Sequence, residues 1–151
     1  MKILLTGVTG YIAQRLLPVL LENGHEVVCC VRDKNRFNWK NYARSNLTVI
    51  EADFLNKESL QEIPNDIDVV INTASLSSPW GNRELFYKSN VITQKNIINY
   101  SKLNNINKII YISSPSIYYN GSDRFLVNES ERLPAKFVNH YSTTKRDAEI
   151  L

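Results

Sequence analysis

The chain has 151 residues, a length that predicts one domain with one core. Hydrophobic residues make up 43% and charged residues 22%, near the globular average, which argues against a disordered tail, a fibre or a coiled coil. The net charge of +3, with scattered lysines and arginines, offers no face for nucleic acid, and no apolar run approaches a membrane span or a signal peptide, so a cytoplasmic location without a membrane partner is expected.

Strand and helix patterns alternate along the chain. Residues 2–6 form a short apolar run that stops at Gly7. Residues 11–23 then place Ile12, Leu16, Leu17, Leu20 and Leu21 at helical spacing, and Asn23-Gly24 ends that helix. Residues 26–31 are Val-rich and read as a second strand. Cys29 and Cys30 lie side by side within it, a spacing that suits neither a disulfide nor a metal, so no metal site is expected. A polar stretch over 33–46, with Phe37, Trp39 and Tyr42, predicts a short helix. Residues 47–51 follow as strand three, and Asn56 is placed to cap a helix through Glu62. Residues 67–74 form a near-continuous apolar strand of the kind buried on both faces. Asn82 caps a long helix to about Leu103, with Leu85, Phe86, Val91, Ile97 and Ile98 as its apolar positions. Strand five covers 108–113, an irregular segment covers 114–139, and a further helix begins at His140. This alternation predicts a doubly wound parallel α/β sheet, Rossmann-type, in the order 3-2-1-4-5.

The turn after the first strand reads Thr6-Gly7-Val8-Thr9-Gly10-Tyr11-Ile12-Ala13. Gly7 permits a sharp turn, Gly10 lets backbone approach a pyrophosphate, and Ala13 lets the helix pack on the strand. The helix N-terminus offers free N–H groups and partial positive charge to phosphates. Gly7, Thr9, Gly10, Tyr11 and Ile12 are therefore the expected phosphate cradle, against the alternative of a tight turn without a ligand.

Strand two ends without the carboxylate that an NAD site places about 20 residues beyond the glycines. Val31 stands there, 21 residues after Gly10, and Arg32 follows, with Lys34 and Arg36 nearby. A cation beside an absent acid favours a 2′-phosphate, hence NADP over NAD, the alternative being a solvated basic loop. Asp53 and Phe54 close strand three, where Asp53 can accept from an adenine amino group. Ala74 and Ser75 end strand four, where small side chains let a dinucleotide lie against the sheet. A capping or loop role suits these positions equally well.

Tyr141 and Lys145 stand four residues apart, on one face of the last helix. Such a pair arises readily by chance in a chain with eight tyrosines; it gains weight from following strand five of a fold that opens with a phosphate loop. A lysine one helical turn away favours a phenolate, so a tyrosine so placed can exchange a proton with substrate near neutral pH. Ser114 would hydrogen-bond the substrate oxygen, and Lys145 would also hold the nicotinamide ribose. The alternatives are an exposed helix face for the pair and a turn residue before Pro115 for Ser114.

In this order the motifs resemble the N-terminal, NAD(P)-binding part of the extended short-chain dehydrogenases/reductases, within the NAD-dependent epimerase/dehydratase superfamily. The matching segments are TGVTGYIA (6–13), the acid and aromatic at 53–54, NVITQKNII (90–98), SSPSIYYNG (113–121) and YSTTKRDAEIL (141–151). Thr93 stands where the family's helix motif has glycine. The resemblance implies Tyr141, Lys145 and Ser114 as catalytic groups and adds Asn90 to a structural and proton-relay set. It also implies a small-molecule substrate and pairing of two copies through the helices that start at Asn82 and His140. The Cys30–Asp33 segment is similar to the strand-two ending of NADP-dependent ketone and aldehyde reductases. An NADP-dependent oxidoreductase acting on a secondary alcohol or ketone is the resulting expectation. The alternatives are a nucleotide-sugar epimerase or dehydratase with bound NAD, and a nucleotide-binding module without turnover. Because Leu151 stands in mid-helix, the chain is expected to be truncated, to lack the substrate-binding region, and to be marginal in stability.

Overall fold

In the computed structural model, which describes residues 1–42 and 44–151, five strands form one parallel sheet. They are β1 (Lys2–Thr6), β2 (Glu26–Val31), β3 (Leu47–Glu51), β4 (Val69–Asn72) and β5 (Ile109–Tyr111), in the order β3-β2-β1-β4-β5. The order is the one expected from the sequence. The helices are α1 (Tyr11–Glu22), α2 (Arg83–Phe86), α3 (Thr93–Leu103) and α4 (His140–Glu149).

The chain divides into two compact units, one of residues 1–75 and 96–112, the other of residues 76–95 and 113–151. The first contains the whole sheet. Its register sets Ile3 against Val27 and Val69, and Leu4 against Val28 and Val70. Side chains alternate across a strand, so Ile3, Leu5, Val27, Cys29, Val69 and Ile71 meet Ala13, Leu17 and Leu21 of α1 in one layer. Leu4, Val28, Cys30 and Val70 meet Ile97 and Tyr100 of α3, with Ile63, Ile67 and Ile106, in the other. Two covered faces explain why these strands are apolar throughout rather than alternating. Burial pushes the thiols of Cys29 and Cys30 up to about 12, which leaves them as inert packing groups.

Several elements of this unit are smaller than the sequence suggested. Among the described residues of the stretch 33–46 there are two 3₁₀ turns, Lys34–Arg36 and Trp39–Tyr42, in place of one helix. Asp33 starts the first by accepting from Asn35 N at 2.9 Å, and the second brings Tyr42 into a stack on Phe37 with ring centroids 5.9 Å apart. Asn56 does accept from Glu58 N at 3.1 Å, but the turn it opens, Glu58–Glu62, is also 3₁₀. Ile12 lies on the exposed side of α1. The α1 stop is as read: Gly24 has φ +74°, and its N–H bonds Leu21 O at 3.1 Å.

The second unit is helical. Asn82 caps α2, its Oδ1 accepting from Glu84 N at 2.8 Å and Leu85 N at 3.3 Å. The expected single long helix is interrupted, because Tyr87–Ile92 winds as a π-helix between α2 and α3. Phe86, Asn90, Val91 and Gln94 are buried, whereas Leu85, one of the apolar positions of that stretch, is 58% exposed. Asn139 caps α4 by accepting from Ser142 N at 2.8 Å. Helix α4 packs against α2, the π-helical segment and a 3₁₀ turn at Pro115–Tyr118.

Candidate active site

The glycine loop of the first unit is fixed by contacts that only glycine allows. Gly7 has φ +71°, and a Cβ there would stand 2.6 Å from Ala74 N and 2.7 Å from Thr73 Oγ1. Around this approach, Thr6 Oγ1 donates to Asn72 Oδ1 at 2.6 Å, Asn72 Oδ1 also accepts from Ala74 N at 2.9 Å, and Thr73 Oγ1 donates to Thr6 O at 2.8 Å. These bonds lock the carboxyl ends of β1 and β4 together, where the strand order reverses and doubly wound sheets bind their ligands. Gly10 N bonds Gly7 O at 2.8 Å, and Gly10 precedes α1 with no side-chain cap and no acidic residue in the first turn. The helix start therefore keeps its partial positive charge for an anion. Tyr11 and Ile12 are both exposed there, with Arg15 stacked 3.5 Å over the Tyr11 ring.

At the end of β2, Arg32 is exposed, and its guanidinium has no partner among the described residues. The nearby carboxylates are turned onto backbone: Asp33 onto Asn35 N, and Glu51 onto Lys34 N at 3.1 Å. Asp53 accepts from Leu55 N at 2.9 Å. The Phe54 ring belongs to the core, edge-on to Tyr100 at 6.0 Å, and its carbonyl accepts from Asn96 Nδ2 at 2.6 Å. Ala74 is half-buried and Ser75 exposed.

Ser114, Asn90, Tyr141 and Lys145 all lie in the second unit. Tyr141 and Lys145 occupy successive turns of α4. Tyr141 is half-buried, and its phenol has no hydrogen-bond partner among the described residues. Lys145 is 2% exposed. Burial lowers its ammonium to about 8, against the opposing pull of Glu149 one turn further along. Glu149 in turn accepts a hydrogen bond from Ser113 Oγ. Ser114 starts the Pro115–Tyr118 turn, its Oγ 2.8 Å from Ser116 Oγ and accepting from Ser116 N at 3.3 Å.

Asn90 sits in the π-helical segment and is 2% exposed. Its Oδ1 accepts from Leu76 N at 2.7 Å, and its Nδ2 donates to Leu76 O at 3.2 Å and to Thr144 Oγ1 at 3.0 Å. Sequence reasoning missed the bonds of Thr144 and the π-helical turn. Helical periodicity carries no mark of a one-residue widening, and a threonine next to a catalytic lysine reads as any helix residue.

A parallel sheet in this order, with a glycine loop at the β1–α1 turn and a Tyr-x-x-x-Lys helix after β5, defines a nucleotide-binding α/β protein of the short-chain dehydrogenase/reductase type. The chain belongs to the NAD dependent epimerase/dehydratase family, whose model matches residues 3–151. It is similar to a 2-alkyl-3-oxoalkanoate reductase of Shewanella oneidensis, 28% identical over 95% of this chain and 36% of the reductase. It is also similar to a 3-beta-hydroxysteroid dehydrogenase of Mycolicibacterium neoaurum, 29% identical over 98% of this chain and 41% of the relative. The solved UDP-glucuronic acid 4-epimerase of Bacillus cereus in complex with NAD superposes with a TM-score of 0.83 at 27% identity, over 99% of this chain and 50% of that one. The chain thus spans between about a third and a half of the length of these proteins.

Proposed function

We propose that the protein is an NADP-dependent oxidoreductase that interconverts a secondary alcohol and a ketone. A dinucleotide fits the residues present. The Gly7 approach leaves no room for a side chain, Gly10 adds none, and the uncapped start of α1 faces an anion with free N–H groups. The chain's residues would hold it through the amides at Gly7, Thr9, Gly10, Tyr11 and Ile12. Arg32 would take the 2′-phosphate, Asp53 the adenine amino group, Ala74 and Ser75 the dinucleotide backbone, and Lys145 the nicotinamide ribose. Phe54 would contribute backbone only, its ring being spent on the core. When bound, the nicotinamide supplies or accepts the hydride.

The remaining work is proton transfer. The Tyr141 phenol gives its proton to the carbonyl oxygen during reduction and takes it back during oxidation. Ser114 Oγ donates to the same oxygen, after turning from Ser116. Lys145 stands one turn away, and burial holds its ammonium close to neutral pH. The observation that carries this reading is the α4 pair: a buried lysine beside a tyrosine whose hydroxyl is unclaimed among the described residues. Similarity to reductases and dehydrogenases of ketone and hydroxyl substrates supports it. The unpartnered Arg32 supports NADP.

The test is Tyr141→Phe, assayed with NADPH and small ketones. Turnover is expected to vanish while dinucleotide binding stays within about twofold, since the ring is retained. Unchanged turnover would remove Tyr141 from the mechanism. A second reading, a nucleotide-sugar epimerase with bound NAD, is favoured by the epimerase superposition; interconversion of UDP-sugars without net consumption of dinucleotide would establish it instead.

A further inference from the structure

We propose that Thr144 is the positioning residue of the α4 pair: its hydroxyl joins the Tyr141 turn to Asn90 and the Leu76 backbone, and so sets where Tyr141 and Lys145 stand. The inference rests on the functional reading above and goes beyond it.

A threonine hydroxyl has one proton and two lone pairs. Thr144 Oγ1 shares its proton between His140 O at 2.8 Å and Tyr141 O at 3.1 Å. It accepts from Asn90 Nδ2 at 3.0 Å. One atom therefore ties the carbonyls of the first turn of α4 to a side chain on the π-helical segment. Thr144 is 2% exposed and Asn90 is 2% exposed, so water does not compete for these bonds.

The chain of contacts continues from Asn90 to both polar backbone atoms of Leu76, at 2.7 and 3.2 Å. Every hydrogen-bonding atom of the Asn90 amide is thereby engaged. Its two N–H groups go to Leu76 O and Thr144 Oγ1, and its oxygen accepts from Leu76 N. Asn90 thus acts as a strut between Leu76 and Thr144. The π-helical turn supplies the geometry, since widening the helix at Tyr87–Ile92 accompanies the burial of Asn90 in the same unit as α4. A π turn costs hydrogen-bond quality and persists where it places a side chain. Thr144 lies between the two groups of the pair, three residues after Tyr141 and one before Lys145. Rotating or shifting this turn moves both groups together.

The test compares Thr144→Val, which keeps the shape and removes the hydroxyl, with Thr144→Ser, which keeps the hydroxyl. The probes are NADP and adenosine 2′,5′-bisphosphate, the half of the dinucleotide that lacks nicotinamide and its ribose, each titrated by calorimetry on the full chain. Thr144→Val is expected to weaken NADP by about tenfold or more, because a misplaced Lys145 loses the nicotinamide ribose. It is expected to leave the bisphosphate within about twofold, and Thr144→Ser is expected to restore NADP binding. Equal weakening of both probes, no weakening of either, or no rescue by serine would overturn the assignment. A wild-type chain that binds neither probe would overturn the dinucleotide reading itself, and the assignment with it.

Discussion

Lys145 should act as a measurable penalty on folding below pH 8, and Lys145→Met should relieve it. The side chain is 2% exposed, and burial lowers its ammonium from the ordinary 10.5 to about 8. That fall corresponds to about 3 kcal/mol of preference for the neutral amine in the folded state. Below pH 8 both the folded and the unfolded chain carry the proton, so the whole penalty is present. Between pH 8 and 10.5 the folded chain releases the proton first, the unfolded chain binds more protons, and stability rises with pH. Above 10.5 the penalty is gone. Methionine fills a similar volume without charge. Urea unfolding at pH 7 should therefore show Lys145→Met more stable than wild type by up to about 3 kcal/mol, less whatever Glu149 loses as a partner. The difference should shrink steadily towards pH 10. A difference that does not vary between pH 7 and 10, or a methionine variant less stable at every pH, would refute the reasoning.

Two further outcomes follow from packing. Gly7→Ala combines a φ of +71° with a Cβ 2.6 Å from Ala74 N, so it should cost about 2–5 kcal/mol; a loss below 1 kcal/mol by urea unfolding would show that the β1–β4 loop yields. Burial predicts opposite behaviour for two neighbours in α2. Phe86→Ala should cost about 3–5 kcal/mol, while Leu85→Gln should stay within about 0.5 kcal/mol, as Phe86 is 0% and Leu85 58% exposed. Comparable losses at both positions would place the helix in a different phase.

The sheet was legible because its signals are local and repeated. Apolar runs at 2–6, 26–31 and 47–51 end at glycine or polar residues, and each became a strand of that span. The glycine loop was equally plain, since Gly7 is forced by a backbone approach that the turn itself dictates. Longer apolar stretches misled at their ends. Residues 67–74 are apolar apart from Asp68, Asn72 and Thr73, yet only Val69–Asn72 pair as a strand, because pairing stops where the neighbouring strands stop. Leu85 is apolar yet faces outward, because the inward face of this stretch runs through Phe86, Asn90, Gln94 and Ile97. The Phe54 ring, next after Asp53, meets Tyr100 of α3 and joins the core, a contact that its place after β3 does not announce. The Tyr141 and Lys145 pair was legible as a spacing; the bonds through Thr144 and Asn90 join positions 54 residues apart, and no local pattern announces them.

The central claim is that the chain binds a dinucleotide phosphate through its glycine loop and Arg32. Unfolding measured with and without NADP and NAD tests it most directly. NADP at 100 times its Kd should add about 2.7 kcal/mol, NAD at the same concentration less, and Arg32→Ala should erase the difference. Equal or greater protection by NAD would contradict the assignment of Arg32, and no protection by either would contradict the dinucleotide site.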